Sequence, residues 1–169
     1  MAAKHQKQII RIPKEYGAKD RTAIGLDILE RIRDRTQSEN EDKKGSRFPG
    51  YTKEYTRSLD YRNAGKTGAV NLTLSGDMLA AMRILEHKDG AIIIGFKDGT
   101  KENARADGNI RGTYGQSKPN PGKARDFLGI SNDELQEILD RYETEEQAEK
   151  RIKAEREAKL IAKTREQKK

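Results

Sequence analysis

The stretch Arg125-Asp126-Phe127-Leu128-Gly129-Ile130-Ser131 constrains this chain most, because there a polar Gly/Pro/Lys loop gives way to apolar residues and then to a helix start. Ser131 followed three residues later by Glu134 is an S-x-x-E capping box, in which hydroxyl and carboxylate each satisfy a free backbone N–H. Leu135, Ile138, Leu139 and Tyr142 then keep the i, i+3, i+4, i+7 spacing of a helix packed on a core. Phe127, Leu128 and Ile130 are expected to pin that helix to the rest of the fold.

Upstream, Ile9, Ile10 and Ile12 precede Pro13, which predicts a short extended piece ending at the proline, read as an arm. Ile24, Ile28 and Ile32 recur every fourth residue with Leu29 beside them and charges elsewhere, which predicts an amphipathic helix capped by Asp20 and ending near Gln37. Residues 38–46 are charged, contain glycine and lack apolar periodicity, so a surface loop is expected. Phe48-Pro49-Gly50-Tyr51 reads as a turn, and residues 52–59 as a short helix with Tyr55 and Leu59 on one side. Residues 69–74 alternate apolar and polar at the strand period, after which Ser75 can cap a helix carrying Met78, Leu79 and Met82.

Ile84 and Leu85, the turn His87-Lys88-Asp89-Gly90 and the run Ala91-Ile92-Ile93-Ile94-Gly95-Phe96 make the clearest hairpin signal. Asp-Gly tolerates the positive φ of a tight turn, and β-branched isoleucines favour a buried strand. Apolar residues nearly vanish over residues 101–123, and Gly108, Gly112, Gly115, Gly122, Pro119 and Pro121 predict a long loop, usually functional or mobile. Beyond Tyr142 the apolar stripe fades, while Glu146/Lys150, Glu149/Lys153 and Glu155/Lys159 are acid-before-base pairs at i, i+4. A charged helical tail that touches little is expected.

One domain is the natural expectation for 169 residues, and its core must be modest. Charged residues make up 37% and the apolar set 33%, against about 25% charged in a typical domain. The net charge of +7 favours approach to polyanions or acidic protein surfaces. No cysteine is present, which excludes disulfides, thiolate metal sites and thiol nucleophiles. No window approaches the ~20 apolar residues of a membrane span, and the first residues lack the apolar run of a secretory signal. The chain is expected to be soluble and cytosolic when made.

Catalytic constellations do not emerge. The glycines at 108, 112 and 115 fit neither the P-loop nor the dinucleotide pattern. His5 and His87 read as solvated rather than as a metal pair, and no Ser/His/Asp set can be proposed from spacing. No cofactor, metal or catalytic residue is assigned. The basic segment offers more: Lys101, Arg105, Arg111, Lys118, Lys123 and Arg125 outnumber its acids, with Tyr114 among them. Phosphate-contacting surfaces use such a mixture. The same residues could merely solubilise a loop, or pack it on a neighbouring subunit.

Leu72-Thr73-Leu74-Ser75-Gly76-Asp77-Met78-Leu79, then Ile92-Ile93-Ile94-Gly95-Phe96, then a Gly-rich loop, then the 125–131 element before a final helix, resembles the neck and tail-completion (virion morphogenesis) proteins of tailed bacteriophages. The match covers residues 70–142. The family often has Pro where Asp126 stands, and a Tyr/His element in the region of residues 103–109. The resemblance implies an α+β fold, a small mainly antiparallel sheet packed by helices. It is read here with an N-terminal arm at residues 1–19, a core at 20–142 with a flexible or interface-forming loop at 101–124, and a charged helical tail at 143–169.

The function implied is that of a non-enzymatic virion structural protein at the head–tail junction, a homo-oligomeric ring, a hexamer by expectation. Its partners would be portal-side and tail-tube or tail-terminator proteins, with genomic DNA in its lumen and no membrane. Lys101, Arg105, Arg111, Tyr114, Lys118, Lys123 and Arg125 would face a neighbouring ring or the DNA channel, and arm and tail would clamp adjacent subunits. A stand-alone basic nucleic-acid-binding protein is the alternative.

Overall fold

A computed structural model describes residues 3–166 apart from 67, 69, 73–75, 89 and 114–119, and, within its last helix, apart from the side chains of 145–147, 155, 160 and 162–166. Its sheet comprises β1 (Lys7–Arg11), β2 (Arg83–Lys88) and β3 (Ala91–Gly95), antiparallel in the order β1-β3-β2. Around it stand α1 (Ala18–Asp34), α2 (Lys53–Thr56), α3 (Leu59–Asn63), α4 (Asp77–Ala80), α5 (Lys101–Arg111), α6 (Asn132–Asp140) and α7 (Glu145–Glu166). The architecture is α+β.

Alternation decides which sheet face is buried. Ile10, Ile92 and Ile94 point inward and are at most 5% exposed, while Ile9, one residue out of phase, is 57% exposed. The helix α1 lies on the inner face. Its stripe of Ile24, Ile28 and Ile32 is fully buried, and Gly25 lets it come close: a Cβ there would stand 2.7 Å from Ile84 Cδ1 and 3.3 Å from Ile92 Cδ1. In turn α6 packs on α1.

Four expectations are corrected. Lys7–Arg11 is not a free arm; it pairs with β3 from Lys7↔Gly95 to Arg11↔Ala91, and Ile10, Ile12 and Tyr16 enter the core. Asp20 does not cap α1. Gly17 holds that position without a side-chain bond and Asp20 sits in the first turn, where its charge favours the positive end of the helix dipole. The described part of the expected strand at 69–74, Val70 to Leu72, is not a strand. Leu72 has φ +53°, which breaks the pleat; the rest of that segment and Ser75 lie outside the described residues, and α4 is capped by Gly76.

The fourth correction is the largest: residues 101–111 are helix, not loop. The Thr100 hydroxyl accepts from Asn103 N–H at 3.2 Å, and Gly112 ends the helix at φ +65°, where a Cβ would run into the backbone of Asn120 and Ala124. Polar contacts to the N-terminus hold it. Gln6 N–H donates to Asn103 Oδ1 and Gln6 Nε2 to Asp107 Oδ1, both at 2.8 Å, and Asn103 Nδ2 donates to Lys4 O at 3.2 Å. His5, expected in solvent, places Nε2 2.8 Å from Phe96 O; His87 is exposed.

The other local readings fare as follows. The hairpin stands, with a bulge between Ile84 and Glu86, but its turn is shorter than expected: His87 and Lys88 pair with Ile92 and Ala91 as part of β2, Asp89 lies outside the described residues, and β3 ends at Gly95. The single short helix at 52–59 is two, each opened by a hydroxyl cap, Thr52 and Ser58. The helix expected to stop near Gln37 continues from α1 as a π turn, Arg35–Glu39, closed by Asn40 at φ +61°. Residues 38–46 are tied down as well: Asp42 Oδ1 accepts from Lys44 and Ser46 N–H, and Lys43 Nζ pairs with Asp126 at 2.7 Å.

Candidate functional site

The 125–131 element is bolted to α1 by an arginine that its polarity hid. Arg35 follows Ile24, Ile28 and Ile32 on the buried stripe and is 2% exposed. Its Nη2 donates to Phe127 O at 3.0 Å and Gly129 O at 2.7 Å, and its Nη1 meets Glu134 Oε2 at 2.5 Å. Glu134 also takes Arg31 Nε at 2.9 Å and the Ser131 N–H at 2.9 Å, while Ser131 Oγ accepts from the Glu134 N–H at 3.2 Å. The capping box thus does two jobs: it starts α6 and it receives Arg31 of α1 and Arg35 of the π turn that continues it. Arg31 completes the set with a bidentate pair to Glu39.

One helical turn back, Asp27 accepts from Tyr142 Oη at 3.0 Å and pairs with Arg141 at 3.4 Å. Asp27, Arg31 and Arg35 are spaced i, i+4, i+8, so a single face of α1 zips along α6. Inside the bolt, Phe127 and Phe96 are both fully buried and meet edge-to-face at 6.2 Å between centroids.

Burial pushes the Glu134 carboxyl upward, but the Ser131 N–H and the two guanidinium charges outweigh it and hold the group below its ordinary value. A depressed folded pKa means stability that is fully present above about 4.3, the value of an unfolded glutamate, and is lost as the pH falls through the folded pKa. Thermal unfolding should therefore show Glu134→Gln well below the native chain at neutral pH, with the gap closing in acid. A gap independent of pH would mean that Glu134 is not the ionised partner.

Of the basic residues expected to act together, Lys101, Arg105 and Arg111 lie on α5, and Lys123 and Arg125 lie on the segment that packs against it. Lys101 and Arg105 share a face of α5 by their i, i+4 spacing, and Lys101 lies 3.6 Å from Glu102. Arg111 turns back to Asp107 at 3.3 Å; Lys123 sits in the short 3-10 turn Pro121–Lys123. Tyr114 and Lys118 lie outside the described residues. Arg125 is drawn inward, its Nη1 3.2 Å from Asn109 Oδ1 and its guanidinium 5.5 Å from the centroid of the Tyr51 ring.

That ring belongs to a cluster not foreseen in the sequence. Tyr51, Tyr55 and Tyr61 stand 5.1–5.6 Å apart, centroid to centroid. Lys66 Nζ lies 5.1 Å over Tyr51 and 2.8 Å from its hydroxyl. Burial pushes the Lys66 ammonium and the Arg125 guanidinium below their ordinary values and the Tyr51 phenol above. The cluster fastens the segment carrying α2 and α3 to the start of the 125–131 element through cation–π contact.

Among the described residues no group of three or more His, Asp or Glu is placed to hold a metal, and no helix is long and apolar enough to cross a membrane. Comparison of the chain with models of known families, with curated proteins and with solved structures finds no match.

Proposed function

We propose that this chain is a non-enzymatic structural subunit of the head–tail junction of a tailed bacteriophage, working as a neck or tail-completion ring between the portal side and the tail tube. One observation carries the reading. The short sequence elements on which the family resemblance rests converge in a single core: Phe96 of Ile94-Gly95-Phe96 packs edge-on against Phe127 of Phe127-Leu128-Gly129. Met78 and Leu79, from the first element, are buried in the same cluster. Dispersed motifs that meet at one place specify a fold together, which their order alone does not require.

Charge supports the same reading. A ring subunit reuses one heterologous contact around a closed circle, and a polypeptide whose surface is rich in both signs can make such contacts register-specific. In this reading the exposed charged tail, α7, is the segment that reaches a neighbour, while Arg151, paired with Asp140 at 3.3 Å and Glu143 at 2.9 Å, fixes its root.

In-vitro joining of heads and tails tests it. Extracts that lack this protein should accumulate free heads and tails, and the purified chain should restore joined particles. A chain ending at Tyr142 should stay folded by circular dichroism and fail to restore them. Full joining without the protein would refute the reading.

A further inference from the structure

The sheet has a second face, turned away from α1. Residues opposite one another in an antiparallel pair project to the same side, so the register fixes its composition. One row is Lys7, Gly95 and Arg83; the next is Ile9, Ile93 and Glu86; the third is Arg11, Ala91 and Lys88. Cations stand at all four corners, with two isoleucines and the small residues Ala91 and Gly95 between them. Lys7, Arg11, Arg83 and Lys88 are all exposed, and none has an ion pair or side-chain hydrogen bond among the described residues. Several other arginines are engaged: Arg31, Arg35, Arg111, Arg141 and Arg151 on carboxylates, and Arg33 on the carbonyls of Leu79 and Met82.

We infer that this outer sheet face binds the phosphate backbone of double-stranded DNA without regard to sequence. The dimensions fit. Two inter-strand spacings separate β1 from β2 by about 10 Å, and four residues along a strand separate Lys7 from Arg11 by about 13 Å. The Lys7/Arg83 and Arg11/Lys88 pairs thus form two positive rails, spaced like the phosphates that border a major groove about 12 Å wide. Between the rails the middle strand presents Ala91 and Ile93, which carry no side-chain donor or acceptor to read a base edge, while Gly95 is buried against Gln6 and Lys7. No aromatic stands in the three rows to stack an unpaired base, which favours duplex over single strand. A lone carboxylate, Glu86, opposes the field.

The inference goes beyond the assembly reading and does not depend on it, since DNA affinity is measured on the isolated chain and joining on particles. Binding of the full-length protein to a short mixed-sequence duplex, followed by fluorescence anisotropy over a range of salt, is the test. Four phosphate contacts give a slope of about −3.6 in log K against log salt. Changing Arg11 and Lys88 to Gln should halve it to about −1.8, and changing all four cations should leave it near zero. Because a loss of binding could reflect misfolding, Glu86→Lys supplies the opposite sign: it should tighten binding and steepen the slope by about 0.9. A slope unmoved by the fourfold change, or by Glu86→Lys, overturns the inference. So does a fourfold variant that keeps its DNA affinity but loses self-association, which would assign the face to a second copy of the chain.

Discussion

Arg35→Ala should cost the fold about 3–5 kcal/mol, the range found when one partner of a buried ion pair is removed. The loss is large because three acceptors depend on that side chain: Glu134 Oε2, Phe127 O and Gly129 O. Phe127 and Gly129 are buried, so their carbonyls lose a donor, and an unpaired buried acceptor costs its full desolvation penalty; Glu134 loses one of its two guanidinium partners and keeps Arg31 and the Ser131 N–H. For a chain of this size Tm should fall on the order of 10 °C, at roughly 2–4 °C per kcal/mol. Arg35→Lys should rescue little, because an ammonium cannot span two carbonyls and a carboxylate as a planar fork does. A Tm within about 2 °C of the native value, less than the shift for one kcal/mol, would show that the arginine is a passenger.

Phe127→Ala should be of similar size, about 3–5 kcal/mol, as for other buried aromatics truncated to alanine. Its ring is fully buried against Phe96, so truncation forfeits both transfer free energy and an edge-to-face contact. The two substitutions should not add. Arg35 donates to the Phe127 carbonyl, and a loop already loosened by one change has less to lose from the other, so the double variant should fall short of the sum by on the order of 1 kcal/mol. Strict additivity in a double-mutant cycle, read by urea unfolding, would separate the aromatic core from the arginine bolt.

These two residues also show what the sequence made legible. Phe127 was readable because its neighbours form a local pattern: apolar residues, then a cap, then a helical stripe. The hairpin was readable for the same reason, its turn and its isoleucines being adjacent in the chain. Arg35 was hidden, since burial of a guanidinium is decided by acceptors about ninety residues away. One signal was present: Arg35 continues the spacing of Ile24, Ile28 and Ile32.

The helix α5 was missed for a related reason. Its interior Gly108 disfavours helix by about 1 kcal/mol, and among its buried residues only Ala106 is apolar. What holds it is polar and distant, Asn103 and Asp107 reaching Gln6 and Lys4. Strand β1 reads as an arm in sequence because a strand's partner is not written in its own residues. Within the basic set expected to form one site, Arg125 also contacts the Tyr51 ring and Arg111 also pairs with Asp107. The four cations of the outer sheet face come from two separate strands, β1 and β2, and only their common register against β3 assembles them.

The most direct test of the proposed assembly role is imaging of the particles that a tailed phage carrying this gene produces when the gene is deleted. The account predicts filled heads without attached tails, and, in native particles, a ring of α+β subunits in the density at the neck. Virions with joined, intact necks in the absence of the protein would contradict it.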